Sequence, residues 1–77
     1  MVYYRHMVNK SNESLRIDLG QKLKKARSKS GLTQAQVAES AELNVNYYAR
    51  VERGEVNLSF EKLHRILRVL KIKSLDI

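Results

Sequence analysis

The segment "TQAQVAESAELNVNYYARVERG", residues 33–54, decides the fold of this chain. Thr33 and Gln36 have the spacing of a capping box, in which the threonine accepts from the third residue's amide while the glutamine reaches back. The apolar pattern that follows breaks just before Asn44, which can cap a second helix. Gly54 supplies a stop for that helix. The segment therefore predicts two short helices joined by a three-residue turn.

A longer helix is predicted before this segment, from about residue 15 to about residue 29. Apolar residues recur there at helical spacing, Ser14 can cap the start, and Gly31 provides a glycine stop followed by an apolar contact from Leu32. Gly20 lies inside the predicted helix, where glycine costs roughly 1 kcal/mol relative to alanine. We therefore expect another backbone to approach closely at Gly20.

A second amphipathic helix is predicted after the segment, with Ser59 as its cap. Its continuous apolar stripe consists of Phe60, Leu63, Ile66, Leu67 and Leu70. Residues 71–77 can begin a fifth helical turn capped by Ser74, and the run "VYYRHMV", residues 2–8, has residues typical of an extended strand. The sequence thus predicts an all-α bundle of four to five helices over residues 14–77, preceded by a tail, residues 1–13.

Composition narrows the classes of protein and of partner. The chain has no cysteine, which excludes disulfides and thiolate metal sites, and no apolar run approaches the roughly 18 residues of a membrane span. Fifteen Lys and Arg against eight Asp and Glu give a net charge of +7, which favours polyanions such as nucleic acid but is also compatible with a solvated basic surface. We expect a cytoplasmic protein associated with the nucleoid, without membrane contact.

Residues 19–70 resemble the lambda-repressor/Cro-like (Xre-type) helix-turn-helix domains, a family that includes phage repressors, small restriction-modification controller proteins and antitoxins. The resemblance rests on "GLTQ", on "VERG", on the small Ala38 where the two short helices cross, and on apolar residues at the five inward positions of the unit. These five are Val37, Ala41, Leu43, Tyr48 and Val51. Glu42 departs from the pattern, because the family commonly has glycine there to adopt a left-handed conformation.

The resemblance implies that the second short helix, about residues 45–53, lies in the major groove of DNA. The residues at its base-reading positions are Asn44, Val45, Asn46 and Arg50, of which Asn44 also caps the helix. Asparagine can pair with adenine, arginine with guanine, and a valine methyl can contact thymine's methyl. The alternative is that Asn46 and Arg50 are ordinary solvated helix residues.

The resemblance also implies contacts to the DNA backbone and a structural ion pair. The candidate phosphate-binding residues are Gln34, Tyr47, Arg53, Asn57 and Lys29. For Tyr47 a half-buried position over the edge of the core is an equally good interpretation. Arg27 is expected to form a partly buried ion pair with Glu52, whose loss would strand a charge and cost several kcal/mol.

A domain of this size makes few base contacts, which predicts a homodimer that reads two half-sites of a near-palindrome. The family pattern suggests a dimer surface made of Val56, Leu58, Val69, Ile72, Leu75 and Ile77, with the run at residues 2–8 as the rival surface. The function expected is a sequence-specific transcriptional regulator that binds double-stranded DNA. The alternative is a protein-interaction module, such as an antitoxin or adaptor, and RNA binding is a weaker third option.

Enzymatic chemistry is not expected from this sequence. His6 and His64 lie far apart without carboxylate or cysteine neighbours at ligand spacing, and there is no nucleophile paired with a base and no glycine-rich phosphate loop. We therefore expect no metal, no cofactor and no small-molecule substrate.

Overall fold

The computed structural model describes residues 12–71, which form four helices and no strand. The helices are α1 (Asn12–Lys29), α2 (Gln34–Ser40), α3 (Val45–Glu52) and α4 (Phe60–Leu70). The prediction of a small all-α bundle is confirmed. The predicted strand at residues 2–8 and the predicted fifth turn with its cap Ser74 lie outside the described residues.

The predicted start of the first helix is wrong. The chain is already helical at Asn12, so Ser14 lies inside α1 and does not cap it. Serine is a favoured cap residue, but a helix interior also accepts it, and no proline or glycine at residues 12 and 13 prevents the helix from beginning before Ser14.

Local capping sets the starts of the other three helices as the sequence predicts. Thr33 Oγ1 accepts from the Gln36 amide at 3.0 Å, and Gln36 Oε1 accepts from the Thr33 amide at 2.8 Å, which completes the capping box of α2. Asn44 Oδ1 caps α3, and Ser59 Oγ caps α4 by accepting from the Lys62 amide at 3.2 Å.

Three of the helices, α1, α2 and α3, end in the same hydrogen-bonded arrangement, a Schellman motif. In each, a residue with positive φ is followed by one whose amide donates to the carbonyl five positions earlier. The positive-φ residues are Gly31, Glu42 and Gly54. The donors are Leu32, Leu43 and Glu55, which donate to Arg27, Ala38 and Arg50 at 3.2, 2.8 and 3.0 Å.

Glu42 adopts the left-handed conformation that the turn requires, with a φ of 59°. A non-glycine residue in this region costs about 1 kcal/mol, and the turn accepts that cost without losing its hydrogen bonds. The departure from glycine therefore leaves the turn between α2 and α3 intact.

The core lies where α1 and α2 pack against α3, and α2 also packs against α4. Its buried apolar side chains are Leu23, Val37, Ala38, Ala41, Tyr48, Val51, Ile66 and Leu70, with Leu43 half-buried against them. At the crossing of α1 and α3, a Cβ on Gly20 would lie 2.5 Å from the Glu52 carbonyl oxygen. The predicted close backbone approach at Gly20 is confirmed, and it sets how deeply α3 is seated.

Phe60 is not part of the core, which corrects the prediction for the apolar stripe of α4. Its side chain is 89% exposed, and it lines a shallow apolar groove with Leu63, His64 and Leu67. Helical periodicity places Phe60 on the same face as Leu63, but Leu63 is half-buried against the core whereas Phe60, one turn earlier, is not packed against it. Phe60 is the most exposed large apolar side chain among the described residues.

Candidate nucleic-acid interface

The outer face of α3 is the surface that the predicted base-reading residues share. Tyr48 and Val51 are buried in the core, whereas Val45, Asn46 and Arg50 are exposed. A helix turns about 100° per residue, so the inward anchoring of Tyr48 and Val51 fixes which residues point outward. The side chains of Asn46 and Arg50 are therefore available to a ligand in solution.

Asn44 has its carbonyl oxygen engaged and its amide nitrogen unused by the cap. Its Oδ1 accepts from the amides of Asn46 at 2.8 Å and Tyr47 at 3.2 Å, which fixes the start of α3. The Nδ2 group still carries two donors on an exposed residue. Asn44 can thus cap the helix and donate outward at the same time.

Tyr47 lies half-buried against the core, next to a lysine that sequence reasoning missed. Lys62 Nζ, from the first turn of α4, lies 4.6 Å from the centroid of the Tyr47 ring, within the range of a cation–π contact. The half-buried interpretation of Tyr47 matches its position. Lys62 adds a positive charge close to the start of α3, and only the packing of α4 brings it there.

Behind α3, a buried carboxylate joins three helices. Arg27 of α1 donates to Glu52 from Nε at 2.6 Å and from Nη2 at 3.2 Å, so the ion pair expected from the sequence is formed. Gln34, the first residue of α2, donates from Nε2 to Glu52 Oε1 at 2.9 Å. The Glu52 side chain is 2% exposed, so this network fixes the end of α3 relative to α1 and α2.

Hydrogen bonding keeps this buried carboxylate ionised. Burial alone would raise the pKa of Glu52, but hydrogen bonds from Arg27 and Gln34 outweigh burial and lower that pKa. Burial raises the pKa of the neighbouring Tyr48 hydroxyl, and the Glu52 carboxylate raises it further. Glu52 is thus charged and Tyr48 neutral near neutral pH.

Both arginines assigned to DNA contact a second carboxylate, Glu55, which the sequence interpretation did not include. Glu55 accepts from Arg53 Nε at 2.8 Å and from Arg53 Nη2 at 3.3 Å, and its Oε1 lies 3.5 Å from Arg50 Nε. The hydrogen bond from Arg53 lowers the pKa of Glu55, and the contact with Arg50 lowers it further. The glycine stop at Gly54 was the available signal, because it places the residue after it against the last turn of α3.

The remaining candidate phosphate contacts occupy different environments. Asn57 Oδ1 accepts from Arg16 Nη1 at 3.1 Å, and Arg16 Nε donates to the Gly54 carbonyl at 3.4 Å, so α1 holds the loop after α3. The Asn57 amide nitrogen keeps its donors. Lys29 is exposed at the end of α1.

Sequence and structure comparisons find relatives for most of the chain. Residues 18–75 match a family model described as a helix-turn-helix domain. The control protein C.BamHI of Bacillus amyloliquefaciens is 31% identical over 65 residues, which span 83% of this chain and 80% of that protein. The chain belongs to the helix-turn-helix family of controller proteins.

A solved structure of this family agrees with the fold described above. The restriction-modification controller protein C.AhdI from Aeromonas hydrophila superimposes with a TM-score of 0.73 and 32% identity, covering 74% of this chain and 86% of that one. The resemblance stated from the sequence is thereby confirmed. As a member of this family, the chain is a DNA-binding regulator and not an enzyme.

The dimer surface predicted for this controller-family protein is only partly described. Val56, Leu58 and Val69 are half-buried and pack against the protein's own core, while Ile72, Leu75 and Ile77 lie outside the described residues.

Residues 12–71 offer neither a metal-ligand cluster nor a membrane-spanning helix. Within that range no cluster of three or more His, Asp or Glu side chains could hold a metal ion. None of its helices combines the length and the hydropathy needed to cross a bilayer.

Proposed function

We propose that this protein is a sequence-specific transcriptional regulator that binds a near-palindromic operator as a homodimer, with α3 in the major groove of each half-site. Its site of action is the cytoplasm, on nucleoid DNA. One observation carries the proposal: Tyr48 and Val51 are buried while Asn46 and Arg50 stand in solvent on the opposite face of the same helix. That arrangement presents an amide and a guanidinium, the groups that pair bidentately with adenine and guanine.

Backbone contacts would come from residues that flank α3. The candidates are Gln34, Tyr47 with its neighbour Lys62, Arg53, Asn57 and Lys29. A phosphate accepts hydrogen bonds, so each contact needs a free donor. Gln34 Nε2 has a second hydrogen beyond the one given to Glu52, and Asn57 is held through its oxygen, which leaves its amide hydrogens for the DNA. These contacts position the protein without reading sequence.

A second copy of the chain is the proposed partner for the apolar surface beside the loop after α3. Val56 and Leu58 keep part of their surface exposed, and the strongly exposed Phe60 follows that loop directly. Val69 is also partly exposed, but it lies on another side of α4, next to Arg65 and Arg68. Light scattering should find a dimer for the full chain and a shift towards monomer for Phe60→Ser. Chains lacking residues 1–12 or residues 72–77 would locate the rest of the surface. If Phe60→Ser kept the molar mass of the wild-type dimer in light scattering, Phe60 would not belong to the interface.

Selection of bound sites from random duplexes tests the proposed function most broadly. The expected product is a pair of inverted half-sites with centres about 34 Å apart, bound by two chains. A dimer that neutralises about six to ten phosphates should lose roughly three to five decades of affinity between 50 and 200 mM salt. Recovery of no common sequence, with binding equal on all duplexes, would contradict sequence-specific recognition.

A further inference from the structure

The three Schellman motifs differ at the residue that closes them. This position commonly carries an apolar side chain that packs against the preceding helix. Leu32 and Leu43 follow that rule, and both lie half-buried against the core. The third motif, at the end of α3, has Glu55 in this place, and its side chain is exposed. The charge therefore stands on the outer surface of α3.

The motif fixes the position of Glu55 through its backbone. Its amide donates to the Arg50 carbonyl at 3.0 Å, and Gly54 before it donates to Val51. The Cβ that another residue would bring to position 54 would lie 2.7 Å from the Cα of Ile17, so this turn is also packed against α1. Glu55 is thus held against the last turn of α3 by main-chain bonds.

The carboxylate of Glu55 bridges the two arginines that the proposed function assigns to DNA. Arg53 is engaged by two nitrogens, Nε and Nη2, which is the forked geometry that a phosphate would use. The contact between Glu55 Oε1 and Arg50 is made at Nε and is longer, at 3.5 Å, than either contact with Arg53. The Glu55 carboxylate therefore binds Nε and Nη2 of Arg53 and also contacts Nε of Arg50.

These two contacts have opposite consequences for random and for specific DNA. On random DNA, binding relies on phosphates, and Glu55 both repels them and competes for Arg53. On the operator, Arg50 must enter the groove in one orientation, and a side chain that is already held loses less freedom on binding.

We propose that Glu55 is a specificity-determining residue: it weakens binding to random DNA by occupying Arg53, and it positions Arg50 to read a base. This inference rests on the proposed function, since it assumes that α3 faces DNA. Glu55 itself touches no base and acts through the two arginines.

The matched variants are Glu55→Gln, Glu55→Asp and the control Glu39→Gln. Glutamine removes the charge with little change in shape. Aspartate keeps the charge next to Arg53 but is one carbon too short to reach Arg50 as well, whose contact is already the longer one at 3.5 Å. Glu39 is exposed on α2 and makes no ion pair within the described part of the chain. The probes are a duplex obtained by selection and a scrambled duplex of equal length and composition, with binding measured by fluorescence anisotropy.

Glu55→Gln should bind the scrambled duplex about two- to fivefold more tightly than Glu39→Gln does, which is the scale of an exposed ion pair. It should gain less or nothing on the selected duplex, so that the ratio of the two affinities falls. Its salt slope on scrambled DNA should steepen by about 1.8 for a dimer, because one Arg53 is freed in each chain and each phosphate contact contributes about 0.9. Glu55→Asp should leave the scrambled duplex near the wild-type value and weaken the selected one about two- to tenfold, as expected for loss of side-chain ordering.

The inference would be overturned if Glu55→Gln raised the affinity for both duplexes equally and by the same factor as Glu39→Gln. Glu55 would then act only through its contribution to net charge. A wild-type affinity of Glu55→Asp for the selected duplex would refute the positioning of Arg50. Wild-type protein that binds neither duplex would instead refute the proposed function, and this inference with it.

Discussion

Replacing Glu52 with alanine should remove a large part of the stability of this domain. The structure gives the reason: a side chain that is 2% exposed accepts two hydrogen bonds from Arg27 and one from Gln34. The variant leaves the Arg27 guanidinium, itself only 15% exposed, without its counter-charge. Breaking a buried pair in this way costs about 3–5 kcal/mol. The total stability of natural domains is about 5–15 kcal/mol, and short chains bury less surface than long ones.

Urea unfolding followed by circular dichroism measures this loss directly. The chain contains its own control, because Glu55 accepts from Arg53 with nearly the same pair of distances, 2.8 and 3.3 Å against 2.6 and 3.2 Å. The difference is burial, since the Glu55 side chain is 46% exposed. Glu55→Ala should therefore leave the urea midpoint almost unchanged.

A double variant separates the stranded charge from the loss of packing. Arg27→Met combined with Glu52→Leu removes both charges and keeps apolar volume at the crossing of α1 and α3, so it should recover much of the stability that Glu52→Ala loses. If Glu52→Ala had no larger effect than Glu55→Ala, or if the double variant were less stable than Glu52→Ala, the assigned role of the buried pair would be refuted.

Three further predictions concern the same fold. Gly20→Ala should lower the free energy of unfolding by about 1–3 kcal/mol, because its Cβ would meet the Glu52 carbonyl oxygen at 2.5 Å and force α1 away from α3; an unchanged urea midpoint would contradict this contact. Glu42→Gly should raise the free energy of unfolding by about 1 kcal/mol, since it relieves a φ of 59°, and a lower midpoint would show that the turn tolerates glutamate better than glycine. The pKa of Glu52 is lowered in the folded state, so the stability that its charge contributes is complete above the ordinary glutamate pKa and is lost as the pH falls through the lowered value. Urea midpoints should therefore drop in acid. The drop should be smaller in the double variant at Arg27 and Glu52, which lacks this carboxylate.

Local signals in the sequence were sufficient for most helix boundaries. The Thr33–Gln36 box, the Asn44 cap and the Ser59 cap each depend on residues within three positions of one another, so a linear reading can find them. The close approach at Gly20 was also predictable, because glycine in a helix interior carries a cost that packing must offset.

Features that depend on the ends of packed elements could not be predicted in the same way. Periodicity assigns Phe60 to the apolar face of α4 but does not tell whether another element covers each position of that face, and so it missed an 89% exposed ring. Lys62 meets Tyr47 because the packing of α4 against α2 brings the first turn of α4 close to the start of α3.

The two charge pairs of the candidate site differ in how far the sequence could predict them. The Arg27–Glu52 pair followed from resemblance to a family, since 25 residues of sequence separate its members. Glu55 lies close in sequence to Arg50 and Arg53, but its contact with Arg50 depends on the main-chain geometry of the turn at Gly54. Attention to which residue follows a glycine stop would have found it.

The outward presentation of Arg50 on α3 is the central claim, and Arg50→Ala tests it most directly when compared with Arg53→Ala. Both variants should be taken through selection from random duplexes and through affinity measurements on a selected and a scrambled site. Arg50→Ala is expected to lose the preference at one base pair of each half-site, with about 1–3 kcal/mol less discrimination there, while Arg53→Ala weakens binding to both duplexes alike. Equal losses on the selected and scrambled duplexes for Arg50→Ala, with the selected sequence unchanged, would contradict base reading by this face of α3.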